Sequence, residues 1–365
     1  MELINWIARL PRSVRRRKPP RVPYLLDISS FHRTAVAERM RVDRNGSPLS
    51  ILLLRLPVDR SALQDYQFLG DLLEQRLRMT DSAGLLPDGR VGVLLPDTLP
   101  AGAWKVASDI CEVYPVGHER PDCDVLVYPE PPGRLTEQQH KRPAKEPVAV
   151  RSAKRTDGSV DSLFARSLPL WKRSLDVAGA SCGLILSAPA ILLAAVVVKL
   201  SSPGQAFYTQ EREGLGGRRF HIWKLRTMRL DADQLKDSLR PYSEQDGPAF
   251  KMMRDPRITR VGRVLRRFSL DELPQLWNVL RGDMSLVGPR PLPVDESLGC
   301  LAWQRRRLHV TPGLTCIWQI EGRNVVPFEE WIRMDLDYAQ RRSLWYDLKL
   351  LLRTPTALLF AKGPR

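Results

Sequence analysis

The sequence predicts an α+β protein with two unlike domains, and three observations support this. Strand-like and helix-like periods alternate along residues 49–128. A stretch rich in Pro, Lys, Arg, Glu and Ser follows at residues 129–165, without an apolar period. Residues 166–365 contain few β-periodic segments, and a long uncharged run lies near their start, at residues 177–198. We therefore expect a small mixed domain, a flexible linker and a mainly helical domain with a membrane segment.

The N-terminal domain shows six elements in the order β-α-β-β-α-β. A strand-like run starts at Leu49, and helical spacing covers residues 62–78. Residues 84–95 indicate a hairpin with Pro-Asp-Gly at its turn. A second helix at residues 100–113 and a short strand at 124–128 complete the set. This order is that of the ferredoxin-like, split βαβ arrangement.

The same stretch resembles the nucleotide-cyclase fold of diguanylate cyclases. The similarity lies in Thr80-Asp81 and in the run Gly-Arg-Val-Gly-Val-Leu-Leu-Pro-Asp97-Thr98. Active members carry a Gly-Gly-Asp-Glu-Phe hairpin, whereas the turn here reads Leu-Pro-Asp-Gly-Arg-Val. Because the catalytic acidic pair is missing, the domain is degenerate and we expect no cyclase activity. A regulatory or partner-binding role and a structural accessory role both stay open.

Composition restricts the partners. The chain has 57 Lys and Arg against 41 Asp and Glu, so its net charge is +16. This charge favours polyanions: nucleic acid, an anionic membrane surface or phosphorylated substrates. Residues 1–48 form a basic segment whose run at 12–18 is either a solvated tail or a lipid contact. Five cysteines without a C-x-x-C pair argue against a zinc site or a disulfide framework.

The second domain opens with an apolar segment. Residues 177–198 hold 22 residues without a charge, which is long enough to span a bilayer. A buried core helix is the alternative interpretation. Lys172 and Arg173 flank the start of the segment and Lys199 flanks its end. Because basic residues mark the cytoplasmic side, both ends are predicted to be cytoplasmic.

A straight crossing cannot place both ends on one side. Pro189 lies in the middle of the segment, where proline removes a backbone hydrogen bond and kinks a helix. Ser187 can compensate by bonding a freed carbonyl. We therefore expect a re-entrant helix at about residues 174–199 that breaks between Ser187 and Pro189. The alternatives are a spanning helix, or a single-pass anchor with residues 1–170 outside.

Residues 254–291 carry the densest chemical signal. Arginine recurs at every third position before the adjacent carboxylates Asp271 and Glu272. In a helix these arginines would form a positive face for a diphosphate or lipid headgroups, or merely a solvated face. Ser269 and Glu272 also match a capping box, so Glu272 could simply cap a helix. The recurring arginines are Arg254, Arg257, Arg260, Arg263 and Arg266.

The surroundings favour chemistry at the carboxylate pair. A helix N-terminus and nearby arginines lower the pKa of a carboxyl group and keep it ionised. An ionised aspartate can attack phosphorus, which gives an aspartyl-phosphate type of intermediate. A neighbouring carboxylate can hold Mg²⁺, which prefers one or two carboxylates together with substrate phosphates.

Residues from about 170 to the end resemble the bacterial sugar transferase family, the monotopic polyprenyl-phosphate phosphoglycosyl transferases. The match begins at Lys172-Arg173-Ser-Leu-Asp176 and continues through Phe-His-Ile-Trp-Lys224-Leu-Arg226. Its most specific part is Leu-Asp-Glu-Leu-Pro-Gln-Leu-Trp-Asn-Val-Leu-Arg-Gly-Asp-Met-Ser-Leu-Val-Gly-Pro-Arg-Pro, residues 270–291. Thr-Pro-Gly-Leu-Thr at 311–315 and Gly-Arg-Asn at 322–324 follow.

The resemblance implies a role for each matching residue. Asp271 matches the nucleophile that takes the phosphosugar, and Glu272 matches its partner carboxylate at Mg²⁺. Lys172, Arg173 and Asp176 match the start of the membrane helix, where they would lie near lipid phosphate. Substrate-binding positions are the remaining matches: Pro289, Arg290, Pro291, Lys224, Arg226, Arg263, Arg323 and Asp335.

The expected reaction joins a sugar-1-phosphate from a UDP-sugar to polyprenyl (undecaprenyl) phosphate and releases UMP. It would be the first membrane step of exopolysaccharide, capsule or O-antigen assembly, at the cytoplasmic face of the bacterial inner membrane. No nucleic acid is expected as a partner, and a homo-oligomer stays open. The alternative is a basic, membrane-tethered nucleic-acid-binding or regulatory protein, although no nucleic-acid-binding signature is visible.

Two departures from the family pattern affect loop shape rather than the catalytic block. Cys316 stands where glycine is usual, and Ala188 stands where some members have serine before the kink proline. The C-terminal apolar runs at residues 344–352 and 356–360 are too short to span a membrane. They predict interfacial helices in the headgroup plane, with core packing as the alternative.

Overall fold

The computed structural model describes residues 22–56, 62–114, 120–129, 160–321 and 326–359. The chain divides into two compact units, and the division falls in the predicted linker region. Most of that linker lies outside the described residues, as does the basic run at 12–18.

The N-terminal unit is a four-stranded antiparallel sheet with helices. The strand order is β2-β3-β1-β4, and β1 lies between its antiparallel neighbours β3 and β4. The predicted β-α-β-β-α-β order is confirmed, and it follows one additional helix. The elements are α1 (Ile28–Asn45), β1 (Leu49–Arg55), α2 (Ala62–Arg76), β2 (Ser82–Leu85), β3 (Val91–Pro96), α3 (Pro100–Val113) and β4 (Asp122–Tyr128).

Helix α1 corrects the predicted domain boundary at residue 49. Asp27 caps its start, and Gly46 ends it in the left-handed conformation with φ of 73°. Phe31 is 1% exposed and lies against Gly84 and Gly92, where a Cβ atom would come within 2.7 and 2.6 Å of the ring side chain. The segment 1–48 therefore contains an element of the N-terminal core, which its polar composition conceals.

The second unit is mainly helical, as predicted, and it contains two small β structures. A hairpin pairs β5 with β6, and a short parallel pair joins β7 to β8. The sequence did not predict this hairpin. The elements up to β7 are α4 (Asp161–Phe164), α5 (Leu170–Ser201), β5 (Phe207–Glu213), β6 (Arg219–Leu225), α6 (Lys236–Leu239), α7 (Arg260–Arg267), α8 (Leu276–Arg281) and β7 (Ser285–Val287). Those that follow are α9 (Val294–Leu298), α10 (Ala302–Arg305), β8 (Gly313–Thr315), α11 (Ile317–Glu321), α12 (Phe328–Arg341) and α13 (Leu344–Leu359).

Helix α4 shows that the predicted linker ends earlier than residue 165. Asp161 is 6% exposed and forms an ion pair with Arg305 at 2.8 Å. Arg305 also reaches Glu213 at 3.2 Å, so α4, β5 and α10 share one buried charge network. Unpaired buried charges are strongly unfavourable. Residues from Val160 on therefore belong to the second unit.

Helix α5 is continuous over 32 residues and contains Pro189. Among the described residues it is the one helix long and apolar enough to cross a membrane, judged by length and composition. Leu186 is 81% exposed, and only 11% of the most apolar window is buried, which argues against a core helix. The Ser187 hydroxyl donates to the Gly183 carbonyl at 2.6 Å. Pro189 leaves the carbonyl of Ile185, four residues before it, without its helical hydrogen bond. The prediction that Ser187 bonds this freed carbonyl is therefore wrong, because Ser187 bonds the carbonyl of Gly183 instead.

The C-terminal apolar runs form one helix rather than two. Helix α13 contains Pro355, and its buried side includes Leu350 at 1% exposure. Trp345 and Leu352 are 80% and 78% exposed on the same helix. Core packing and an exposed apolar surface therefore occur together along α13.

Candidate active site

A cavity of about 460 Å³ lies in the second unit. Its lining comes from the β5–β6 hairpin, α7, the segment around Asp271 and the loop after β7. This volume lies in the range of sites that enclose a small organic ligand. Asp271, Glu272, Lys224 and Arg290 all line it. The structure thus brings together the central predicted residues from three separate parts of the chain.

The carboxylate pair lies on a 3₁₀-helix, Leu270–Gln275, between α7 and α8. Ser269, just before it, has φ of 54°, a left-handed conformation that is unfavourable for a non-glycine residue. Its side chain makes no capping hydrogen bond, so the capping-box alternative is wrong. The Glu272 side chain is thereby left to act in the cavity. Backbone strain of this kind is typical of functional sites.

Glu272 is held between two cations. Its Oε1 accepts hydrogen bonds from Lys224 Nζ at 3.1 Å and from Arg290 Nη2 at 2.5 Å. Burial alone would raise its pKa, but the charges of Arg290 and Lys224 hold the pKa of Glu272 well below its usual range. Glu272 therefore stays ionised, as the arginine-rich sequence predicted.

Asp271 differs from its neighbour. It is 6% exposed, and no residue in the described parts of the chain donates a hydrogen bond to its carboxylate. Burial, reinforced by the negative charge of Glu272, raises the pKa of Asp271, while Lys224, Arg266 and Arg290 oppose the rise. The expectation that nearby cations lower the pKa of both carboxyl groups is thus wrong for Asp271. Its carboxylate is desolvated and free of direct bonds, a state that favours reactivity.

The β5–β6 hairpin supplies one wall of the cavity. Tyr208, Gln210 and Arg212 alternate along β5 and therefore share one face, and all three line the cavity. Tyr208 is paired across the hairpin with Lys224, so their side chains are close neighbours. Asn278 of α8 fixes the hairpin by accepting from Trp223 N at 3.0 Å and donating to His221 O at 2.7 Å.

The recurring arginines do not form one continuous face. Only Arg260–Arg267 is helical, and Gly262 packs so closely that a Cβ atom would lie 2.0 Å from Thr227 O. Arg266 lines the cavity, as does Arg257, which is paired with Asp255 at 2.6 Å. Arg263 is exposed and does not line the cavity, which contradicts its predicted substrate contact. Arg263 and Arg266 both lie on α7, and only Arg266 lines the cavity.

The three residues of the loop at 289–291 have different roles. Arg290 and Pro291 line the main cavity, whereas the carbonyl of Pro289 accepts from Gly313 N at 2.8 Å and joins β7 to β8. Arg212 donates to the carbonyl of Pro291 at 2.8 Å. Pro289 therefore acts on loop shape rather than as a lining residue.

Asp335 supports the site from behind. It is 1% exposed, does not line the cavity and forms an ion pair with Arg307 at 2.7 Å. Arg307 in turn donates to the carbonyl of Arg290. Burial raises the pKa of Asp335 to about 6, and the charge of Arg307 limits the rise. Asp335 therefore does not reach the cavity, contrary to the prediction, but helps to position Arg290 through Arg307.

Two of the three residues assigned to lipid phosphate, Lys172 and Asp176, are buried anchors of α5. Lys172 Nζ is 3.0 Å from Val287 O, 3.0 Å from Tyr338 OH and 2.5 Å from Asp347 Oδ2. Its three donors are thus all used. Asp176 is 0% exposed and accepts from Ser285 Oγ and Leu286 N, each at 2.9 Å. Neither residue is accessible to a lipid.

Arg173 and Arg226 hold backbone carbonyls. Arg173 donates to Val279 O at 2.7 Å and Leu280 O at 2.6 Å, in the last turn of α8, where a cation complements the helix dipole. Arg173 is half-buried, and its assignment to lipid phosphate stays a prediction. Arg226 lines the cavity, but its guanidinium bonds Ser202 and Pro203 just after α5. Arg323 lies outside the described residues.

Sequence reasoning missed several lining residues. Arg212 was not assigned to the site, and its alternation with Tyr208 along a strand was the available signal. Trp318 and Trp331 also line the cavity, with ring centroids 4.7 Å apart. Nothing local in the sequence distinguishes these tryptophans from core residues.

The geometry defines a class of site. A desolvated carboxylate adjoins a second carboxylate, and Lys224, Arg290, Arg212 and Arg266 surround them in a cavity of ligand size. Clustered guanidinium groups suit phosphate oxygens, and a buried carboxylate can act as a nucleophile. The site is therefore suited to a phosphorylated ligand.

Comparison with known proteins agrees with this class. The chain matches the family model "Bacterial sugar transferase" over residues 167–361, which is more than half of its length, and it belongs to that family. It is 45% identical over 203 residues to the UDP-glucose:undecaprenyl-phosphate glucose-1-phosphate transferase of Caulobacter vibrioides, covering 53% of this chain and 71% of that protein. It is 41% identical to the exopolysaccharide production protein ExoY of Rhizobium meliloti, covering 53% and 87%.

A further relative is matched over a smaller part of its length. The chain is 43% identical to the galactosyl transferase CpsE of Streptococcus agalactiae, over 53% of this chain and 43% of that protein. Among solved structures, a DGC protein from Thermotoga maritima overlaps 29% of the chain at 17% identity with a TM-score of 0.27. An overlap this slight carries no argument, so the cyclase resemblance of the N-terminal domain stays a prediction.

Proposed function

We propose that the protein transfers a sugar-1-phosphate from a UDP-sugar to polyprenyl (undecaprenyl) phosphate and releases UMP. The observation that carries the proposal is the buried, unbonded carboxylate of Asp271 beside the ion-paired Glu272. Relatives named as transferases of glucose- or galactose-phosphate to undecaprenyl phosphate support the same reaction class. The name ExoY supports exopolysaccharide biosynthesis, with this transfer as its first membrane step.

The proposed first step forms a bond between Asp271 and phosphorus. A carboxylate oxygen of Asp271 attacks the phosphate that bears the sugar. The bond from that phosphorus to the bridging diphosphate oxygen breaks, and its electron pair leaves with UMP. Asp271 is 6% exposed and lines the cavity, so little solvent surrounds its carboxylate and the cavity gives the donor access to it.

The second step regenerates the carboxylate. An oxygen of the lipid phosphate attacks the same phosphorus, the bond to Asp271 breaks, and polyprenyl-diphosphate-sugar is released. The two half-reactions imply ping-pong kinetics. Lys224 and Arg290 carry positive charge at the carboxylates, and both would contact phosphate oxygens of the donor.

Mg²⁺ fits this arrangement. Asp271 has a carboxylate without hydrogen bonds in the described structure and Glu272 is its neighbour, so the two would hold the ion together with donor phosphate oxygens. When bound, the ion would supply positive charge to the diphosphate and the leaving group. Within the described residues no group of three His, Cys, Asp or Glu side chains could hold a metal.

A re-entrant membrane attachment at the cytoplasmic face of the inner membrane is part of the proposal. Both ends of α5 pack on the second unit: Ala180 joins one core cluster with Leu286, while Ala194 and Val198 join another with Leu225. Between these ends, Leu186 and Leu192 are exposed by 81% and 66%. An exposed apolar middle between two ends packed on one domain supports a helix that enters and leaves the membrane on one side. The break predicted between Ser187 and Pro189 is not seen, because α5 continues through Pro189.

The test uses the purified full-length protein in detergent, with UDP-sugars, Mg²⁺ and undecaprenyl phosphate. UMP release that depends on lipid and on one sugar is expected. Asp271→Asn should abolish UMP release, because an amide does not attack phosphorus. Asp283→Asn is the matched control, since Asp283 belongs to the same sequence block but does not line the cavity.

A second readout isolates the covalent step. Without lipid, donor labelled in the sugar should transfer label to the wild-type protein and not to Asp271→Asn. Asp271→Asn that still releases UMP at the wild-type rate would remove Asp271 as the nucleophile.

A further inference from the structure

A second group of polar side chains lines the cavity, and the transfer chemistry does not use it. Tyr208, Asp233, Lys236 and Glu296 come from β5, the segment after β6, α6 and α9. Lys236 Nζ lies 3.1 Å from Glu296 Oε1, and Tyr208 OH lies 3.3 Å from Asp233 Oδ1. The group therefore combines carboxylates, an ammonium and a hydroxyl on one stretch of wall.

Glu296 has an unused acceptor. The residue is 6% exposed, yet only its Oε1 accepts a hydrogen bond from a described residue, Lys236. Its Oε2 accepts none within the described parts of the chain, although the side chain lines the cavity. An ionised carboxylate oxygen that faces a cavity is available as a hydrogen-bond acceptor for a ligand. A ligand that brings hydroxyl hydrogens would satisfy it.

The group lies next to the residues proposed to bind the reacting phosphate. Tyr208 is the cross-strand partner of Lys224, and Lys224 binds Glu272 at 3.1 Å. Arg212, on the same face of β5 as Tyr208, interacts electrostatically with both Glu272 and Glu296. In a nucleotide sugar, the sugar is bonded to the attacked phosphate. Its hydroxyls must therefore lie within a few ångströms of the phosphate subsite.

The chemistry of the group matches hydroxyls rather than phosphate. Two carboxylates repel an anion, whereas they accept hydrogen bonds from hydroxyl groups. Lys236 neutralises part of their charge and can itself donate to a sugar oxygen. We infer that Glu296, Asp233 and Lys236 form the subsite that binds the hydroxyls of the transferred sugar and selects among hexoses. This inference rests on the proposed function.

The experiment measures steady-state UMP release by the full-length protein with UDP-glucose and UDP-galactose, which differ at one hydroxyl. Glu296→Gln should raise the KM for the preferred donor by about tenfold to a hundredfold, the effect of one charge-assisted hydrogen bond. The ratio of kcat/KM between the two donors should change as well. Inhibition by UMP, which lacks the transferred hexose and the phosphate bonded to it, should be unchanged.

Asp295→Asn is the matched control. Asp295 also binds Lys236, at 2.6 Å, but its side chain is 51% exposed and it does not line the cavity. It should keep the donor KM and the donor ratio of the wild type. If Glu296→Gln does not fold, exposed Asp233→Asn carries the same test, because its position on the surface tolerates the change.

The outcomes separate the two proposals. An active enzyme whose donor KM and donor ratio are unchanged by Glu296→Gln and Asp233→Asn overturns the inference alone. Variants that lose affinity for UMP and for the donor to the same extent also overturn the inference, because the residues would then bind the nucleotide or maintain the fold. A wild-type protein that transfers no sugar phosphate from any donor overturns the proposed function, and the inference with it.

Discussion

Replacing Lys172 with methionine is expected to destabilise the second unit by about 3–5 kcal/mol, the effect of breaking a buried ion pair. The Lys172 and Asp347 side chains are 1% and 0% exposed, and their charged atoms are 2.5 Å apart. Methionine fills similar space but donates no hydrogen bond. Asp347 would keep one donor, Tyr338 OH at 2.8 Å, and otherwise a negative charge in a dry interior.

The expected loss translates into a large thermal shift. A unit of 150–250 residues changes its melting temperature by about 2–4 °C for each kcal/mol. Lys172→Met should therefore melt about 6–20 °C below the wild type in a thermal scan in detergent. The double variant Lys172→Met with Asp347→Leu should recover most of the loss, because both charges are gone.

Lys199→Met is the control at the other end of α5. Lys199 is exposed and donates one hydrogen bond to Gly204 O at 3.0 Å, so its loss should shift the melting temperature little. The reasoning would be refuted if Lys172→Met melted with the wild type and instead raised the KM for polyprenyl phosphate. That result would restore the lipid-phosphate role that the sequence resemblance suggested.

Three further predictions follow. Asp335→Asn should remove a pH dependence of stability. Because the pKa of Asp335 in the folded protein, about 6, lies above its ordinary value of 3.8, its contribution to stability is present below pH 3.8 and is lost as pH rises through 6. Denaturant unfolding should thus show wild-type stability falling relative to the variant by about 3 kcal/mol across that window; a constant difference would contradict it. Phe31→Ala should destabilise the N-terminal unit by about 3–5 kcal/mol, and amide hydrogen exchange in β1 and β3 should become faster. Unchanged exchange would show that α1 does not contribute to the stability of that core. Gly262→Ala should weaken donor binding, measured by titration with UDP-sugar. The reason is that a Cβ atom would lie 2.0 Å from Thr227 O and would displace α7 and with it Arg266. Wild-type affinity in this variant would show that α7 need not pack this closely.

Local periodicity was sufficient for the elements of the N-terminal sheet. Residues 49–128 alternate between strand and helix patterns, and turn residues such as Pro-Asp-Gly mark the hairpin, so each element is specified by nearby residues. Helix α1 escaped prediction because its apolar positions, Phe31, Ala35 and Val42, are few among polar residues. Its burial depends on glycines at 84 and 92, which are distant in the chain.

The sequence also identified the centre of the candidate site. Asp271 and Glu272 were chosen from residue type and surroundings, and the family resemblance added Arg290 and Lys224. The structure places all four at one cavity. Arg263 was assigned to the substrate by the family resemblance, yet its side chain is exposed and does not line the cavity. The position of Arg266 follows from packing of α7 against Thr227.

The sequence by itself determined the α+β class, the apolar helix and the acidic pair, because these depend on composition and short-range pattern. Only the tertiary structure decided which charges face the cavity and which are structural. Lys172 and Arg290 look alike in sequence as cations beside functional motifs. Lys172 is enclosed by three distant partners, whereas Arg290 is turned toward Glu272 by a loop held at Arg307. Burial and long-range contacts set the role of a charge, and neither is written in its neighbours along the chain.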